Sequence, residues 1–379
     1  MHADGPALAE HGGDIAAIAG RYRVDARSLL DFSANVNPLG PPAALLRELA
    51  AAANDVAELV RYPAADAAPL RTALGTYLDV EPEAIVVGNG AAALLETALA
   101  VSGVRRCVVP IPAFSEYRRA LDALGAQLVA VPLDPATNFA LEVAHLFEAL
   151  RASDAQACIV TNPHNPSGAL TSVEVVRAVR AAARTFGART IVDEAFIDYA
   201  PHASIAPDAV RDAGLIVVRS LTKFFAVPAL RVGYAVCAPE VARQMRARLP
   251  SWPVTTLAMR AVAAALSEAT YADATRRHNE RERRDLGAAL ARLGIHVFPS
   301  AANFLLLDVP ARGRSSREVT HELIANARLV VRDTSSYDGL GAGCFVRVAV
   351  RGRDDNARLV AAFANLLQPG VRSRGDDYE

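Results

Sequence analysis

The sequence predicts an α/β protein in which helices cover both faces of a mainly parallel, seven-stranded sheet, followed by a smaller α+β region. Three observations predict it. Seven short apolar runs of strand character follow one another between residues 84 and 237. Helical patterns separate most of them, and apolar strands alternating with helices are typical of a parallel sheet buried on both faces. After residue 239 long helices and then short strands indicate a second architecture.

The first 42 residues are predicted to form an arm that belongs to the smaller domain. Residues 29–42 are dense in Asn, Pro and Gly, which indicates ordered turns rather than a helix. Residues 43–53 are rich in alanine and leucine and predict a helix. The segment 61–63 breaks that pattern, and residues 68–78 predict a second short helix.

The predicted strands of the main sheet span residues 84–87, 106–111, 127–132, 157–161, 190–193, 215–219 and 233–237. Helical patterns between them span residues 91–101, 115–124, 172–185 and 205–212. The last strand follows its neighbour too closely for a helical crossover, so we expect it to run antiparallel.

The C-terminal part is predicted to form helices at residues 239–248, 257–293, 315–325 and 354–367 and strands at 296–298, 304–308, 329–332 and 345–349. The charged run 276–284 indicates a solvated helix face rather than a nucleic-acid site. We therefore predict an arm (1–42), a large domain (43–240), a small domain (241–368) and a polar tail (369–379).

Composition and charge exclude several classes of protein. The chain has 379 residues, of which 52% are hydrophobic and 21% charged, as expected for a globular protein with a sizeable core. A net charge of −1 favours neither nucleic acid nor a membrane surface. No apolar run reaches the ~18 residues of a membrane span, and the N-terminus lacks a signal-peptide pattern. The scattered cysteines predict reduced thiols, no metal site and a cytoplasmic location.

Lys223 is the sole lysine among the 40 lysine and arginine residues. Arginine cannot lose its proton near neutrality, whereas a desolvated lysine can. A neutral amine is the group that attacks a carbonyl to form a Schiff base. Lys223 is therefore a candidate for covalent chemistry; a surface lysine that survived an arginine-rich codon bias is the alternative.

Polar residues follow three consecutive predicted strands. Asn165 comes shortly after the strand 157–161, Asp193 ends the next strand, and Ser220 and Lys223 follow the third. Ligands of open parallel sheets bind beyond the carboxyl ends of the strands, so we expect an amide, a carboxylate and an amine to meet there. Taken singly, Asp193 could be a helix cap and Asn165 a turn residue.

The junction at residues 87–93 (VGNGAAA) joins a strand to a helix through a glycine turn. Its free N–H groups and helix dipole suit a phosphate, although many such junctions are plain turns. Arg231 could neutralise the same phosphate. Pyridoxal phosphate has all the groups that these residues would bind. It has an aldehyde for Lys223, a ring nitrogen for Asp193, a phenolic oxygen for an amide, and a phosphate.

Phe114 could stack on the pyridoxal ring, or it could be an ordinary core aromatic. The motifs at residues 165–168 (NPSG) and 193–196 (DEAF), with Ser220-(x2)-Lys223-(x7)-Arg231, resemble those of fold-type I pyridoxal-phosphate enzymes in the branch of histidinol-phosphate aminotransferase. The arm motifs, residues 11–14 (HGGD) and 31–40 (DFSANVNPLG), are similar to those of threonine-phosphate decarboxylases of cobalamin biosynthesis.

The resemblance implies a role for each candidate residue. Lys223 would form the Schiff base, Asp193 would pair with the pyridine nitrogen, and Asn165 with the ring oxygen O3′. The cofactor phosphate would be held by Gly90, Ala91, Ala92, Ser220 and Arg231. Tyr62 would reach the phosphate of a neighbouring subunit, which implies a homodimer with shared active sites.

The resemblance also implies how a small phosphorylated amino-acid substrate would bind. Arg347 matches the arginine that binds the α-carboxylate, with a surface arginine on a strand as the alternative. Candidates for the substrate phosphate are Arg332, His11 and Asn35. Phe196 departs from the pattern, because many aminotransferases carry tyrosine there and use its hydroxyl on O3′.

Three functions follow as expectations. The first is decarboxylation of L-threonine O-3-phosphate to (R)-1-amino-2-propanol O-2-phosphate. The second is transamination of histidinol phosphate or a similar phosphorylated amino compound. The third is a sensing domain of a transcription regulator, which is disfavoured because only about 40 residues precede the first predicted helix, without a helix-turn-helix pattern.

Overall fold

The computed structural model of the chain describes residues 12–311, 313–340 and 343–368. The described helices are α1 Ile15–Tyr22, α2 Ala43–Asn54, α3 Val56–Leu59, α4 Ala68–Leu78, α5 Gly90–Val101, α6 Ser115–Ala123, α7 Val143–Ser153, α8 Val173–Thr185, α9 Ala206–Ala209, α10 Leu221–Phe224, α11 Pro239–Arg246, α12 Thr256–Leu266, α13 Ala269–Ala291, α14 Ser316–Ala327 and α15 Arg353–Leu367. Across these residue ranges no helix combines the length and apolarity that crossing a membrane requires.

The described strands are β1 Leu30–Asp31, β2 Ile85–Asn89, β3 Arg106–Ile111, β4 Gln127–Pro132, β5 Ala157–Thr161, β6 Arg189–Asp193, β7 Leu215–Ser220, β8 Val232–Cys237, β9 His296–Val297, β10 Phe304–Asp308, β11 Leu329–Val330, β12 Arg332–Asp333 and β13 Phe345–Ala349. Seven of them form one sheet in the order β2-β8-β7-β6-β5-β3-β4. Only β8 runs antiparallel to its neighbours there. The predicted seven-stranded sheet and its antiparallel last strand are confirmed.

Helices cover both faces of this sheet because neighbouring residues of each strand point to opposite sides. Val192 of β6 belongs to a core packed against α4, α8 and α12. Its neighbour Ile191 belongs to a second core packed against α5, α6 and α11. In the inner strands β5, β6, β7 and β8 almost every residue on both faces is buried, so these strands read as continuous apolar runs and not as alternating ones.

The register of the central strands brings their carboxyl ends together. Thr161, at the end of β5, pairs with Asp193, at the end of β6, and Asp193 pairs with Val218 of β7. The residues that follow these strands therefore share one edge of the sheet, where ligands of such folds bind.

A second sheet, of four strands, has the order β12-β13-β10-β9 with antiparallel neighbours. Its register places Arg332 of β12 opposite Arg347 of β13. Strand β1 pairs with β11 in a separate parallel pair, which joins residues 30–31 to the C-terminal part of the chain. The division of the chain into arm, large domain, small domain and tail stays a prediction.

Three predicted elements were wrong in extent. The single helix expected over 257–293 is two helices, α12 and α13, because the backbone of Glu268 between them is not helical (φ −90°, ψ 75°). The side chain of Glu268 accepts a hydrogen bond from Ala44 N (2.7 Å) at the start of α2. The single strand expected over 329–332 divides at Val331 into β11 and β12, which pair with different strands. The helix expected over 205–212 is confined to α9.

Four of the described helices were not predicted: α1, α7 and the two single turns α3 and α10. In α7, Leu146 and Leu150 are buried four residues apart, so the helical pattern was present in the sequence. Helix α1 lies in the arm and is capped by Asp14, whose side chain accepts a hydrogen bond from Ala17 N (3.1 Å).

Candidate functional site

A cavity of about 660 Å³ lies at the edge where β5, β6 and β7 end. Most of the predicted site residues line it: Asn35, Gly90, Ala91, Ala92, Phe114, Asn165, Asp193, Ser220, Lys223, Arg231, Arg332 and Arg347. Tyr62 does not line it, and His11 lies outside the described residues. Segments far apart in the chain thus converge on one volume large enough for a cofactor and a small substrate.

Lys223 lies in the short helix α10 directly after β7, and its Nζ donates a hydrogen bond to Ser220 Oγ (3.4 Å). Burial lowers the pKa of Lys223 to about 8; the Asp193 carboxylate opposes this shift, and the guanidinium groups of Arg231 and Arg347 add to it. Near neutral pH a useful fraction of the amine is therefore uncharged, which attack on an aldehyde requires.

Asp193 is buried beside the lysine. Its Oδ2 accepts a hydrogen bond from the hydroxyl of Tyr117 (2.7 Å), and its Oδ1 accepts one from Ala195 N (2.9 Å). Burial raises the pKa of Asp193, and these two hydrogen bonds, together with the charge of Lys223, oppose that shift. The carboxylate is thus a buried anion held by two donors, able to accept a further bond from a ligand in the cavity.

Arg347 connects the cavity to three other segments. Its guanidinium donates to Asn165 Oδ1 (2.6 Å), to the hydroxyl of Tyr337 (3.3 Å) and to Ser33 O (3.2 Å), and it lies 5.2 Å from the ring centre of Phe304. Within the described part of the chain, its Nε has no hydrogen-bond partner although it is buried. A buried cation with an open donor suits an anionic group of a ligand.

Arg332 forms a second buried cation beside Arg347, opposite it in the β12–β13 register. Its guanidinium lies 5.6 Å from the ring centre of Tyr337 and donates to Ser336 Oγ (3.1 Å). The side-chain oxygen of Asn35, also buried, lacks a partner in the described residues. Two buried arginines facing one cavity suit a ligand with two anionic groups.

A concave surface for a phosphate lies at the start of α5. Gly90 has φ +79°, and a β-carbon there would lie 2.8 Å from the guanidinium of Arg231. A β-carbon on Gly233 of β8 would lie 2.7 Å from Ala91 N, so this glycine lets the helix start approach the sheet. The side chain of Asn89 does not cap the helix, which leaves backbone N–H groups for an anion beside Arg231.

The aromatic residues divide between the cavity and the surface. Phe114 lines the cavity and meets Tyr117 edge-on, with ring centres 5.9 Å apart. Phe196 also lines it and packs edge-on against Phe304 (5.0 Å). Tyr62 lies outside the cavity.

Tyr62 is 79% exposed and stacks on Trp252 with ring centres 4.4 Å apart. Tyr62 does not line the cavity of its own chain, and its contact with a neighbouring subunit stays a prediction.

Sequence reasoning missed several residues that organise the site. Tyr117 and Tyr337 resembled ordinary core aromatics. Asn37 was noticed only as part of a motif, yet its backbone N–H donates to Lys223 O (3.1 Å) and its side chain to Phe224 O (2.9 Å). The available signal was an Asn-Pro pair in a turn segment, which does not say what the amide contacts.

Arg219, in β7 directly before Ser220, lies beneath the site. It forms a buried ion pair with Glu194 (2.8 Å) and also donates to Ser204 Oγ and to the hydroxyl of Tyr234. Its role is to join the segments that follow β6 and β7, and it does not line the cavity.

Comparison with known proteins agrees with this architecture. The sequence profile of the family described as "Aminotransferase class I and II" matches residues 27–363. The threonine-phosphate decarboxylase of Salmonella typhimurium is 35% identical over 94% of this chain and 96% of its own length. The chain also resembles the crystal structure of histidinol-phosphate aminotransferase from Clostridium acetobutylicum, with a TM-score of 0.82 and 27% identity over 89% of this chain and 99% of that one.

A further solved structure contains a ligand. The histidinol-phosphate aminotransferase from Sinorhizobium meliloti in complex with pyridoxal-5'-phosphate has a TM-score of 0.82 and 21% identity, over 94% of this chain and 95% of that one. At 21% identity this structure supports the fold alone. The family is shown instead by the sequence profile, which spans most of the chain. The chain belongs to the aminotransferase class I and II family.

Proposed function

We propose that the protein is a pyridoxal-phosphate-dependent enzyme that decarboxylates L-threonine O-3-phosphate to (R)-1-amino-2-propanol O-2-phosphate for cobalamin biosynthesis. The observation that carries the proposal is the pair of buried arginines, Arg332 and Arg347, in the same cavity as Lys223. A substrate with a carboxylate and a phosphate supplies an anion for each. The similarity to the threonine-phosphate decarboxylase of Salmonella typhimurium supports the same substrate class.

The residues of the cavity fit pyridoxal 5'-phosphate. The glycine-lined start of α5 and Arg231 form a concave site of the right charge for its phosphate, and the backbone N–H groups at this helix start, which the Asn89 side chain does not cap, suit an anion. Asp193 would hold the ring nitrogen, Asn165 the ring oxygen, and Phe114 one face of the ring. When bound through Lys223, this cofactor supplies an electron sink for a bond broken at the substrate α-carbon.

The residues of the chain would then act as follows. Arg347 binds the α-carboxylate, and Asn165 fixes the guanidinium by accepting one of its hydrogen bonds. Decarboxylation requires the carboxylate to point out of the ring plane, so Arg347 must orient it there. Lys223, no longer bonded to the cofactor, would carry the proton that replaces CO₂ at the α-carbon.

Arg332 and Asn35 would bind the substrate phosphate, with the predicted contribution of His11. Phe196 lacks the hydroxyl that a tyrosine would place near the ring oxygen, so Asn165 would hold that oxygen without this second contact. The phosphate would favour the phosphorylated substrate over threonine itself, because unphosphorylated threonine offers Arg332 no anionic group to bind.

The second candidate function is transamination of histidinol phosphate or a similar phosphorylated amino compound. The similarity to the histidinol-phosphate aminotransferase of Clostridium acetobutylicum favours it. The residues that hold the cofactor would be used in the same places, and Lys223 would remove the α-proton; histidinol phosphate has no α-carboxylate for Arg347. Decarboxylation and transamination would differ in how the bound substrate is rotated about its α-carbon.

Measurement of CO₂ release from L-threonine O-3-phosphate, with pyridoxal 5'-phosphate present and no oxo acid added, separates the two functions. We expect stoichiometric CO₂ and 1-amino-2-propanol phosphate. Turnover only with 2-oxoglutarate, and without CO₂, would exclude the decarboxylase and favour the aminotransferase.

We also propose a cytoplasmic homodimer with shared active sites. Several large apolar side chains near Tyr62 are exposed, including Val56 (70%), Leu59 (51%) and Val60 (78%). Exposed apolar surface of this kind is typical of an interface between proteins. Tyr62 lies on this surface, from which it would reach the cofactor phosphate of the second subunit.

A further inference from the structure

The buried hydroxyl of Tyr117 lies between the cavity and the core. Helix α6 begins after Phe114, which lines the cavity, and places Tyr117 one turn further in, where its side chain is 1% exposed. The hydroxyl is 2.7 Å from Asp193 Oδ2 and 2.8 Å from Thr161 Oγ1. Thr161 and Asp193 are register neighbours at the ends of β5 and β6, so the phenol joins both strand ends to α6.

The direction of these hydrogen bonds follows from the proton count. A phenol has a single proton, and Tyr117 donates it to the carboxylate of Asp193. The hydroxyl of Thr161 must then donate to the oxygen of Tyr117. Burial, followed by the nearby charge of Asp193, raises the pKa of Tyr117 well above its usual value, so the phenol remains a donor throughout the neutral range.

The carboxylate is held from two sides. Ala195 N donates to Oδ1 and Tyr117 to Oδ2, which fixes the plane of the group. The remaining lone pairs of Asp193 face the cavity that the side chain lines. Hydrogen bonds to a charged acceptor are stronger than those between neutral groups, so removing one donor destabilises the ionised form of Asp193.

We propose that Tyr117 is a positioning residue for the cofactor ring: with Thr161 as its own donor, it holds the Asp193 carboxylate ionised and aimed at a protonated ring nitrogen. The inference rests on the proposed function, because it needs pyridoxal 5'-phosphate in the cavity. It adds a relay of two hydroxyl groups, Thr161 to Tyr117 to Asp193, to the residues that contact the cofactor.

Tyr117→Phe removes the hydroxyl and keeps the ring. We expect it to weaken the binding of pyridoxal 5'-phosphate to the cofactor-free protein about tenfold, as loss of a hydrogen bond to a charged group predicts. The probe that isolates the mechanism is 1-deazapyridoxal 5'-phosphate, which has carbon in place of the ring nitrogen. Its dissociation constant should change less than about twofold, since it presents no protonated nitrogen to Asp193.

The matched control is Tyr199→Phe. The side chain of Tyr199 is partly buried and its hydroxyl oxygen is fully buried, but this hydroxyl has no hydrogen-bond partner in the described part of the chain. Its removal should leave both dissociation constants unchanged, which separates the specific hydrogen bond from the general effect of deleting a buried phenol oxygen.

Thr161→Val provides a second test that does not depend on how well Tyr117→Phe folds. It removes the donor to Tyr117 at nearly constant volume, and we expect a smaller loss of affinity, about threefold, again only for the cofactor with the ring nitrogen. Equal weakening of both cofactors by Tyr117→Phe, or no weakening by either variant, would overturn the inference. Failure of the unmodified protein to bind pyridoxal 5'-phosphate would instead overturn the proposed function, and the inference with it.

Discussion

The amine of Lys223 is the residue on which the proposed chemistry depends. Lys223→Arg should keep the fold and abolish both covalent capture of the cofactor and turnover, because a guanidinium does not form a Schiff base near neutral pH. Borohydride reduction of the protein with pyridoxal 5'-phosphate, followed by peptide mapping, checks this. The label should lie on the peptide containing residue 223, and label confined to another position would contradict the assignment.

Lys223 should also make the stability of the cofactor-free protein depend on pH. Its folded pKa is about 8, below its usual 10.5, so between these values the unfolded chain binds more protons than the folded chain. Stability contributed by this group is therefore lowest below pH 8 and rises as pH increases toward 10.5, by at most about 1.4 kcal/mol per pH unit.

The variant Lys223→Met isolates this effect, since it replaces the amine by an uncharged side chain of similar length. The difference in free energy of unfolding between the variant and the unmodified protein, from urea titrations at pH 7.0 to 9.5, should favour the variant at pH 7.0 and shrink above pH 8. A difference that does not change with pH would show that Lys223 has an ordinary pKa.

Sequence reasoning identified the cavity residues whose chemistry is distinctive and missed those whose role depends on packing. Lys223 is unique in composition, and Asp193 and Asn165 follow strands, so strand order alone brought them together. Tyr117 and Tyr337 form hydrogen bonds within the site from positions that also suit a core aromatic. Whether a buried tyrosine forms such a hydrogen bond or only packs in the core depends on neighbours that are distant in sequence.

At the scale of elements, the ion pair between Glu194 and Arg219 joins the segments after β6 and β7. Both side chains are buried, and Glu194 also accepts hydrogen bonds from Ile205 N (2.8 Å) and Ser204 Oγ (2.7 Å). Glu194→Ala should lower the free energy of unfolding by about 3–5 kcal/mol, because it leaves a buried arginine without its anion. Urea titration measures this loss.

The control for this prediction is the ion pair of Arg177 with Asp208 (2.7 Å), whose side chains are 56% and 33% exposed. Asp208→Ala should cost less than about 1 kcal/mol, since water screens such pairs. Equal losses in the two variants would mean that burial of the Glu194–Arg219 pair does not determine its contribution.

Element boundaries were predictable where a local pattern set them and not where a tertiary contact did. The strands of the main sheet are apolar on both faces, so their positions followed from the sequence. At the break between α12 and α13, Glu268 contacts the start of α2, more than 200 residues earlier in the chain. No local pattern around residue 268 reports that contact.

At the scale of the whole molecule, the proposed homodimer predicts that each active site combines Lys223 of one subunit with Tyr62 of the other. Tyr62 and its apolar neighbours are exposed on a single chain, and Tyr62 lies outside the cavity that contains Lys223. Tyr62→Ala and Lys223→Arg should each be nearly inactive on their own. Unfolding and refolding an equimolar mixture of the two variants should restore activity.

The size of the restored activity tests the geometry. In a symmetric dimer with shared sites, about half of the refolded molecules are mixed, and each of these has one site with both native residues, so activity should reach about a quarter of that of the unmodified protein. If each subunit instead supplied both residues to its own site, no mixed molecule would contain an intact site. The mixture would then show no more than the average of its two components, and the assignment of Tyr62 to the second subunit would be wrong.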